Sequence, residues 1–461
     1  MHIVIKNFGP INFADMEIKP LTVLVGPNAS GKSYLLYLIW SLLSVEPNWN
    51  VLGTILQSKV ENIVKNLTNR DVVCNELKSV IIDFLRRFEE IIIQNLEILL
   101  KDTFMISDVG ELVREDQREC EIGISDLHGD YALKFVISKE GGARVHIYDN
   151  FLSKINKILD VDYRITGIRL IVTYFKIEGN QRLALDEITV PMDDIHESTA
   201  SLASAIPVVL DGILGYCPYL PSTILPDGRA GILRVSEPLA SSLLVTRWRE
   251  APLVNAVDKA FFKTIFTLTP RIKSTKIAEI ADFIENKLQV RFVYRVEKPR
   301  MVIMDEMKKF EISLDKAPSG IRELAPLIYI LRYELDSEYY LIIEEPEAHL
   351  HPNAQSIVTR ALALLSKANV YVLFSTHSIH VIDELHALIR LSKLSPEDRA
   401  KIGYHTNEGL SPENVSIYMI TREGNVEKIN VTDEGIEETC LDKIHRELAS
   451  KHMAIEELIG S

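Results

Sequence analysis

Short apolar runs at the start of the chain predict strands. The segments His2–Phe8, Asn12–Ile18 and Leu21–Val25 have the length and β-branched content of strands, and glycine and proline separate them. From about Gly31 to Leu43 the apolar spacing becomes helical. The chain is therefore expected to begin with three strands and one strand-to-helix turn.

A helical pattern fills much of the middle of the chain. From about Val51 to Glu115, apolar residues recur at three- and four-residue spacing. This stripe is short, which predicts a packed helical lobe and not a long coiled-coil arm. Strand patterns follow between 120 and 190, and a mainly helical stretch from Asp194 to Thr269 is broken by a loop at Pro218–Gly231. The apolar stripe of the predicted helical lobe consists of Ile81, Leu85, Phe88, Ile92, Leu96 and Leu99.

The last third of the chain alternates between helix and strand, after three short strand patterns between 290 and 313. Such alternation predicts a parallel sheet with crossover helices. A terminal hairpin and an acidic helix are expected to follow. The alternating elements are Ile321–Leu335, Tyr340–Ile343, Pro352–Leu365, Val370–Phe374 and Ile379–Ile389.

Composition narrows the class of protein. The formal net charge of -14 over 461 residues argues against a protein that coats nucleic acid through its overall charge. Charged residues interrupt the most apolar stretch, Val80–Leu100, and the N-terminus lacks a signal-peptide pattern, so a cytoplasmic protein is expected. The four cysteines are far apart, which disfavours a disulfide framework or a structural zinc site. They are Cys74, Cys120, Cys217 and Cys440.

A phosphate-binding loop follows the third strand. Residues 26–33 fit the pattern G-x-x-x-x-G-K-[ST] between an apolar strand and a helix, which is the context that such a loop requires. The two glycines permit a tight turn whose N–H groups point at phosphates. Lys32 is expected to reach the β- and γ-phosphates of ATP, and the Ser33 hydroxyl to ligate Mg²⁺. The loop comprises Gly26, Pro27, Asn28, Ala29, Ser30, Gly31, Lys32 and Ser33.

Two acids end a later apolar strand, in the arrangement known as Walker B. The strand Leu341–Ile343 leads directly into Glu344 and Glu345. Glu344 is expected to hold Mg²⁺, and Glu345 to polarise the water that attacks the γ-phosphate. His377 follows the strand Val370–Phe374 closely and can donate a hydrogen bond to the γ-phosphate.

Ser319 and Gly320 stand where the helix Ile321–Leu335 is predicted to begin. Two interpretations are open at this point. The pair can form an anion site at a helix N-terminus, or Ser319 can be a plain N-cap with Glu323 in the first turn.

Together these motifs resemble the ABC ATPase superfamily, and most closely its non-transporter branch of OLD-like and SMC/RecF-like ATPases. The resemblance covers about 1–45 and 310–390, and 219–231 more weakly. It implies an α/β fold: an ABC-ATPase-like core, with a mixed or parallel sheet, flanking helices and an antiparallel β part, and an inserted, mainly helical lobe. It implies ATP and Mg²⁺ as cofactors. It also implies that Ser319 and Gly320 form the signature motif, which contacts the γ-phosphate held by a second subunit, that Ala348–His351 is the D-loop, and that His377 is the switch histidine.

Four parts of the chain are expected on this basis. Residues 1–50 and 301–430 form the two halves of the ATPase core, 51–300 form an inserted helical and β region, and 431–461 form an acidic C-terminal helix.

The sequence departs from the family pattern in three ways. Glu344 stands where the family more often has aspartate, the signature is degenerate, and no Q-loop glutamine can be assigned. Four histidines raise the alternative of a zinc site, which is disfavoured because they fall on separate motif loops. They are His349, His351, His377 and His380.

Features that are absent from the sequence distinguish this chain from related classes of ATPase. The long gap between Ser33 and Ser319 disfavours a transporter domain. The chain has no C-x-x-C hook, and the short stretch after His377 shows no acidic strand ends typical of a Toprim nuclease. We therefore expect an OLD-like ATPase without a nuclease of its own.

The expected function is an ATP-hydrolysing switch that dimerises around ATP, as a homodimer or within a higher oligomer, without a membrane partner. It would control DNA or an effector protein such as a nuclease or toxin, in prokaryotic anti-phage defence or genome maintenance. From Arg247 to Lys309 there are 14 Lys and Arg against 8 Asp and Glu, which fits a nucleic-acid face or a solvated helical surface equally. The alternative function is a scaffold in which ATP is structural and turnover negligible.

Overall fold

The computed structural model has the following elements. Its strands are β1 (His2–Phe8), β2 (Ile11–Glu17), β3 (Leu21–Val25), β4 (Glu119–Ser125), β5 (Tyr131–Ser138), β6 (Ala143–Ile147), β7 (Leu159–Thr166), β8 (Arg169–Glu178), β9 (Gln181–Pro191), β10 (Ser222–Leu225), β11 (Val290–Arg295), β12 (Arg300–Asp305), β13 (Phe310–Ser313), β14 (Tyr340–Glu344), β15 (Tyr371–Thr376), β16 (Val415–Ile420), β17 (Val426–Ile429), β18 (Val431–Thr432) and β19 (Gly435–Ile436). Its α-helices are α1 (Lys32–Ser44), α2 (Trp49–Lys65), α3 (Arg70–Arg86), α4 (Gln94–Phe104), α5 (Asp149–Ile158), α6 (Ile195–Leu214), α7 (Ala256–Thr267), α8 (Thr275–Leu288), α9 (Ser319–Tyr333), α10 (Pro352–Lys367), α11 (Ile379–Leu391) and α12 (Pro396–Lys401).

The structure describes residues 1–125, 131–167, 169–178, 181–214, 216, 219–233, 254–267, 271–295, 300–305, 310–437, 450–451 and 455. The chain separates into two compact units. One consists of 1–17 and 41–220, and the other of 18–40 and 221–461. The four-part division expected from the sequence stays a prediction. Of the acidic helix expected at 431–461, the first residues instead form the short strands β18 and β19, and most of the rest lies outside the described residues. Cys217, Cys440 and parts of the basic stretch 247–309 also lie outside them.

The first unit combines two antiparallel sheets with helices. One sheet has the strand order β2-β1-β4-β5-β6, and the other has the order β7-β8-β9. Helices α2 and α3 pack on each other, and α6 packs along β9. The predicted apolar stripe is buried as far as Leu96 and then continues through Leu100, while Leu99 is only partly buried. A π-helical turn at Glu89–Ile93 explains this change, because its extra residue shifts the phase of the stripe by one position.

The second unit is built on a six-stranded mixed sheet of order β10-β14-β15-β3-β16-β17. All neighbours from β10 to β16 are parallel, and β17 adds an antiparallel edge. Every residue of β3 and β14 is buried, which is the pattern of strands covered on both faces. Helices α8, α9, α10 and α11 supply the apolar faces that cover this sheet. The structure is therefore the expected α/β fold with a mixed sheet and a separate antiparallel part.

One strand of the six-stranded sheet was missed by the sequence analysis. The segment Pro218–Gly231, expected as a loop, contains β10, which pairs in parallel with β14. Three prolines and two glycines hid this short strand, because they dominate the local pattern. In the described part of the chain, no helix is long and apolar enough to cross a membrane.

Candidate functional site

The phosphate loop joins β3 to α1 through backbone that favours glycine. Gly31 has φ +103°, and Ala29 also has positive φ, at 60°. A Cβ atom on Gly26 would lie 2.6 Å from the Ile420 carbonyl oxygen of β16. Glycine is therefore required at 26 by the close approach of a neighbouring strand, and at 31 by the left-handed turn that starts the helix.

Lys32 lies over this loop and is almost fully buried. Its Nζ donates hydrogen bonds to the carbonyl oxygens of Gly26, at 2.9 Å, and Pro27, at 2.8 Å. The Ser30 hydroxyl is also buried, and no partner for it is found among the described residues. Ser33, on the first turn of α1, is exposed. The loop thus holds an ammonium group, a buried hydroxyl and an accessible hydroxyl close together in sequence, as binding of a phosphate chain requires.

Glu344 is the last residue of β14 and is buried. Its Oε2 accepts a hydrogen bond from the Tyr37 hydroxyl, at 2.6 Å, and another from the Asp227 backbone N–H, at 3.1 Å. Burial, together with the neighbouring Glu344 carboxylate, raises the pKa of Tyr37 far above its usual range, so this hydroxyl keeps its proton. One carboxylate oxygen is therefore fixed by α1 and by the loop after β10.

Glu345 turns away from the strand and meets His377. It has φ 41°, and its N–H donates to the Ser375 carbonyl oxygen at 3.1 Å. Glu344 of β14 lies opposite Ser375 of β15, so the parallel register brings the two strand ends together. Glu345 Oε1 forms an ion pair with His377 Nε2. This hydrogen bond lowers the pKa of Glu345 and raises the pKa of His377.

A third acid, Glu347, holds the loop that carries the histidine. Its Oε1 accepts hydrogen bonds from the Thr376 hydroxyl, at 2.5 Å, and the His377 N–H, at 3.1 Å. Burial raises the pKa of Glu347. Two acids thus position His377: Glu347 binds its backbone N–H, and Glu345 binds its ring.

Helix α9 carries the proposed signature residues. It begins at Ser319, Pro318 occupies the N-cap position, and no side chain caps the helix. The interpretation of Ser319 as a plain N-cap is therefore wrong. Ser319 is exposed, and a Cβ atom on Gly320 would lie 2.8 Å from the His349 carbonyl oxygen.

The proposed D-loop, Ala348–His351, is a tight turn. The N–H of Ala348 donates to the Glu345 carbonyl oxygen at 3.0 Å, and His349 has φ 58°. The His351 ring accepts a hydrogen bond from the Asn353 N–H and so caps α10. Among the described residues, no group of three His, Cys, Asp or Glu side chains is arranged to hold a metal ion.

A sequence model of the AAA ATPase domain matches residues 1–187 and 237–382, which is more than half of the chain. The chain belongs to this family. Among curated proteins, none matches it.

Solved structures of SMC head domains are similar to this AAA ATPase domain protein. An SMC head bound to the C-winged helix domain of ScpA is 11% identical, with TM-score 0.41 over 96% of this chain and 98% of the other. An Smc head with an extended coiled coil, bound to the C-terminal domain of ScpA from Pyrococcus furiosus, is 10% identical, with TM-score 0.38 over 98% of both chains. The SMC head from Thermotoga maritima is 11% identical, with TM-score 0.33 over 83% of this chain and 90% of the other. At these scores the likeness is distant, and the family assignment rests on the sequence match.

The structure brings several of the predicted residues of this AAA ATPase domain together. Glu345 and His377 are in contact, and the charge of nearby Lys32 adds to the lowering of the Glu345 pKa and partly opposes the rise in the His377 pKa. Ser319 and Gly320 do not join this group. Gly320 instead approaches the D-loop.

Sequence analysis did not single out three further residues of the site. Tyr37 and Glu347 hold the acids and the histidine loop, as described above. Arg229 is fully buried and lies against both Walker B residues and Glu323 of α9. One signal in the sequence was available for Arg229: a lone arginine between two glycines, after an apolar run and in a segment already similar to the family.

Proposed function

We propose that this protein is an ATP-hydrolysing molecular switch of the ABC type, from the OLD-like branch. The observation that supports this most is the placing of the phosphate loop, the carboxylate of Glu345 and the ring of His377 at the ends of three adjacent parallel strands, β3, β14 and β15. Side chains at this edge of a parallel sheet face a common ligand.

In this proposal the phosphate loop binds ATP through its N–H groups. The hydrogen bonds of Lys32 to the loop carbonyls would be exchanged for bonds to the β- and γ-phosphates. The buried Ser30 hydroxyl and the accessible Ser33 hydroxyl fit a nucleotide bound with Mg²⁺, which Ser33 and Glu344 would hold. Mg²⁺ would neutralise charge that develops on the phosphate oxygens.

Glu345 and His377 share the chemistry of hydrolysis in this proposal. While Glu345 is paired with His377, one of its two carboxylate oxygens, Oε1, is engaged by the ring. A γ-phosphate offers His377 a second acceptor, and the released carboxylate of Glu345 can orient the attacking water and take its proton. The pair thus links the presence of ATP to the readiness of the base.

The switch is proposed to be a dimer with two nucleotides between its subunits. Ser319 lies exposed at the start of α9, where its hydroxyl and the first helical N–H groups can meet a phosphate of a second subunit. ATP would close the two subunits, and hydrolysis would reopen them.

The output is proposed to be control of an effector protein, such as a nuclease or toxin, or of DNA, in prokaryotic anti-phage defence or genome maintenance. The effector is expected to bind through the insertion between about Val51 and Arg300. The second candidate is a scaffold in which ATP is structural. Glu347 and Tyr37, which hold His377 and Glu344 in place, favour the hydrolytic switch over that scaffold.

Two measurements test the proposal. Phosphate release is measured at steady state with and without DNA, and turnover is expected in at least one condition. Light scattering after chromatography is applied to Glu345→Gln with ATP or ADP, and to the same variant carrying Ser319→Arg. We expect a mass increase only with ATP and only without Ser319→Arg, because the bulky cation obstructs the contact. ATP binding without turnover and without any change in mass would favour the scaffold.

A further inference from the structure

Arg229 follows β10 and has the most buried arginine side chain among the described residues of the second unit, with 2% of it exposed. All three of its nitrogens are bonded. Nε donates to the Glu323 carbonyl oxygen at 3.1 Å, and Nη1 to the Pro226 carbonyl oxygen at 3.0 Å. Nη1 and Nη2 also donate to the carbonyl oxygens of Glu344, at 2.8 Å, and Glu345, at 3.2 Å.

The charge of Arg229 is compensated most strongly by the side chain of Glu323. Its Nε lies 3.0 Å from Glu323 Oε2, and the Glu323 side chain is fully buried. The other carboxylate oxygen, Oε1, accepts a hydrogen bond from the Ala230 N–H at 3.2 Å. Burial raises the pKa of Glu323, and the cation beside it opposes this shift. Removing both charges of such a pair from water costs free energy, so a hydrophobic pair of equal volume would stabilise the fold equally well.

Three of the four residues that accept hydrogen bonds from Arg229 belong to two functional segments. Glu344 and Glu345 are the Walker B acids, whose backbone it holds. Glu323 lies one helical turn after Ser319, at the start of the proposed signature helix α9. The guanidinium is planar and its donors have fixed directions, so a movement of the acids relative to α9 cannot be absorbed without breaking a hydrogen bond.

Another buried pair in the same unit shows a different arrangement. Arg360 donates to both carboxylate oxygens of Glu408, from Nε at 2.6 Å and from Nη2 at 2.7 Å. Its side chain is 11% exposed and that of Glu408 is fully buried. Arg360 binds the carboxylate of its acid, whereas the four hydrogen bonds that Arg229 donates all end on backbone carbonyl oxygens, two of them those of Glu344 and Glu345.

We propose that Arg229 is a positioning residue that couples the Walker B acids to the signature helix of the same subunit, through Glu323. The inference rests on the proposed function, in which α9 faces the nucleotide of the second subunit. Nucleotide at one site would then shift the signature helix that serves the other site, and the two sites would act cooperatively.

The test uses conservative variants in the full chain. Arg229→Lys keeps the charge but has three N–H donors on a single nitrogen, so it cannot reproduce the four hydrogen bonds of the guanidinium to carbonyl oxygens. Glu323→Gln keeps the shape but removes the ion pair. Arg360→Lys and Glu408→Gln are the matched controls, since they weaken a buried pair that has no contact with the acids. Two quantities are measured: the Hill coefficient of ATP turnover, and the change in hydrogen exchange of the peptide 319–333 when ATP binds.

We expect a Hill coefficient that falls from about 2 in the natural protein to about 1 in Arg229→Lys and in Glu323→Gln, with ATP affinity changed less than about threefold. The ATP-dependent change in hydrogen exchange of the peptide 319–333 should disappear in both variants. The double variant should lose no more than either single variant, because the two residues form one link. The controls should keep both responses even where they lower the melting temperature.

The outcomes separate the two proposals. If the natural protein shows neither turnover nor ATP-dependent dimers, the proposed function is refuted. The ATP-dependent change in hydrogen exchange at 319–333 then still tests whether Arg229 couples the Walker B acids to α9 within one subunit. If ATP binds without an exchange response at 319–333 in the natural protein, the coupling is refuted. It is also refuted if Arg229→Lys or Glu323→Gln, either of them folded, keeps the response and the cooperativity. Should Arg229→Lys fail to fold, Glu323→Gln decides alone.

Discussion

Replacement of Glu345 by glutamine tests the ion pair on which the proposed chemistry depends. The amide keeps the shape of the carboxylate, but it carries no charge and cannot act as a base. In the structure 28% of the Glu345 side chain and 32% of the His377 side chain are exposed, so solvent screens the pair only partly. A pair of this exposure contributes about 1 kcal/mol to the free energy of unfolding, the upper end for surface pairs.

The sign of the pH dependence follows from the two pKa shifts. The pKa of Glu345 is lowered, so its contribution is present above the pKa of an unfolded glutamate, about 4.3, and is lost as the pH falls through the folded value. The pKa of His377 is raised, so its contribution is full below the pKa of an unfolded histidine, about 6.5, and is lost as the pH rises through the folded value. The pair therefore stabilises the fold most between about pH 5 and pH 6.

Three results are expected for Glu345→Gln. Its deficit in unfolding free energy should be about 1 kcal/mol near pH 6 and should shrink at alkaline pH. The pKa of His377, followed by NMR of its ring, should fall toward the usual range of histidine. Turnover should decrease by about 10² to 10⁴, as for loss of a general base, with ATP binding retained.

The control is Asp15→Asn, which breaks another histidine–carboxylate pair, His2 Nε2 to Asp15 Oδ1 at 2.6 Å, in the first unit. It should change neither the titration of His377 nor turnover. An identical titration of His377 in the natural protein and in Glu345→Gln would refute the reasoning. Loss of turnover with intact binding in Glu344→Gln, but not in Glu345→Gln, would reverse the roles of the two acids.

Three further predictions concern the rest of the site. Lys32→Ala should nearly abolish ATP binding in calorimetry, since it removes the ammonium group over the loop; an affinity like that of the natural protein would contradict the phosphate-loop assignment. Gly320→Ala should cost about 1–3 kcal/mol, because its Cβ atom would lie 2.8 Å from the His349 carbonyl oxygen, whereas Gly53→Ala, with no atom within 4 Å of its Cβ, should not destabilise the fold in thermal melts. The purified chain should not cut DNA with ATP and Mg²⁺ or Mn²⁺ in a gel assay; cleavage abolished by a mutation outside the ATP site would reveal a nuclease.

The sequence by itself determined the local parts of the site. The phosphate loop could be predicted because its geometry depends on neighbours in the chain: an apolar strand, two glycines and a helix start. The two acids at the end of β14 and the histidine after β15 could be predicted for the same reason, since they lie at or just beyond the end of a buried apolar strand. Their contact with each other follows from the expected parallel sheet, in which neighbouring strand ends share one edge.

Only the tertiary structure decided which distant groups support these residues. The Tyr37 hydroxyl reaches Glu344 across 307 positions of the chain, and Arg229 reaches the Glu344 carbonyl oxygen across 115. No local pattern reports such contacts, because burial of a tyrosine hydroxyl or an arginine depends on which elements pack around it. Strand β10 was hidden for a related reason: its four residues are held in place by pairing with β14, and pairing is a property of the sheet and not of the segment.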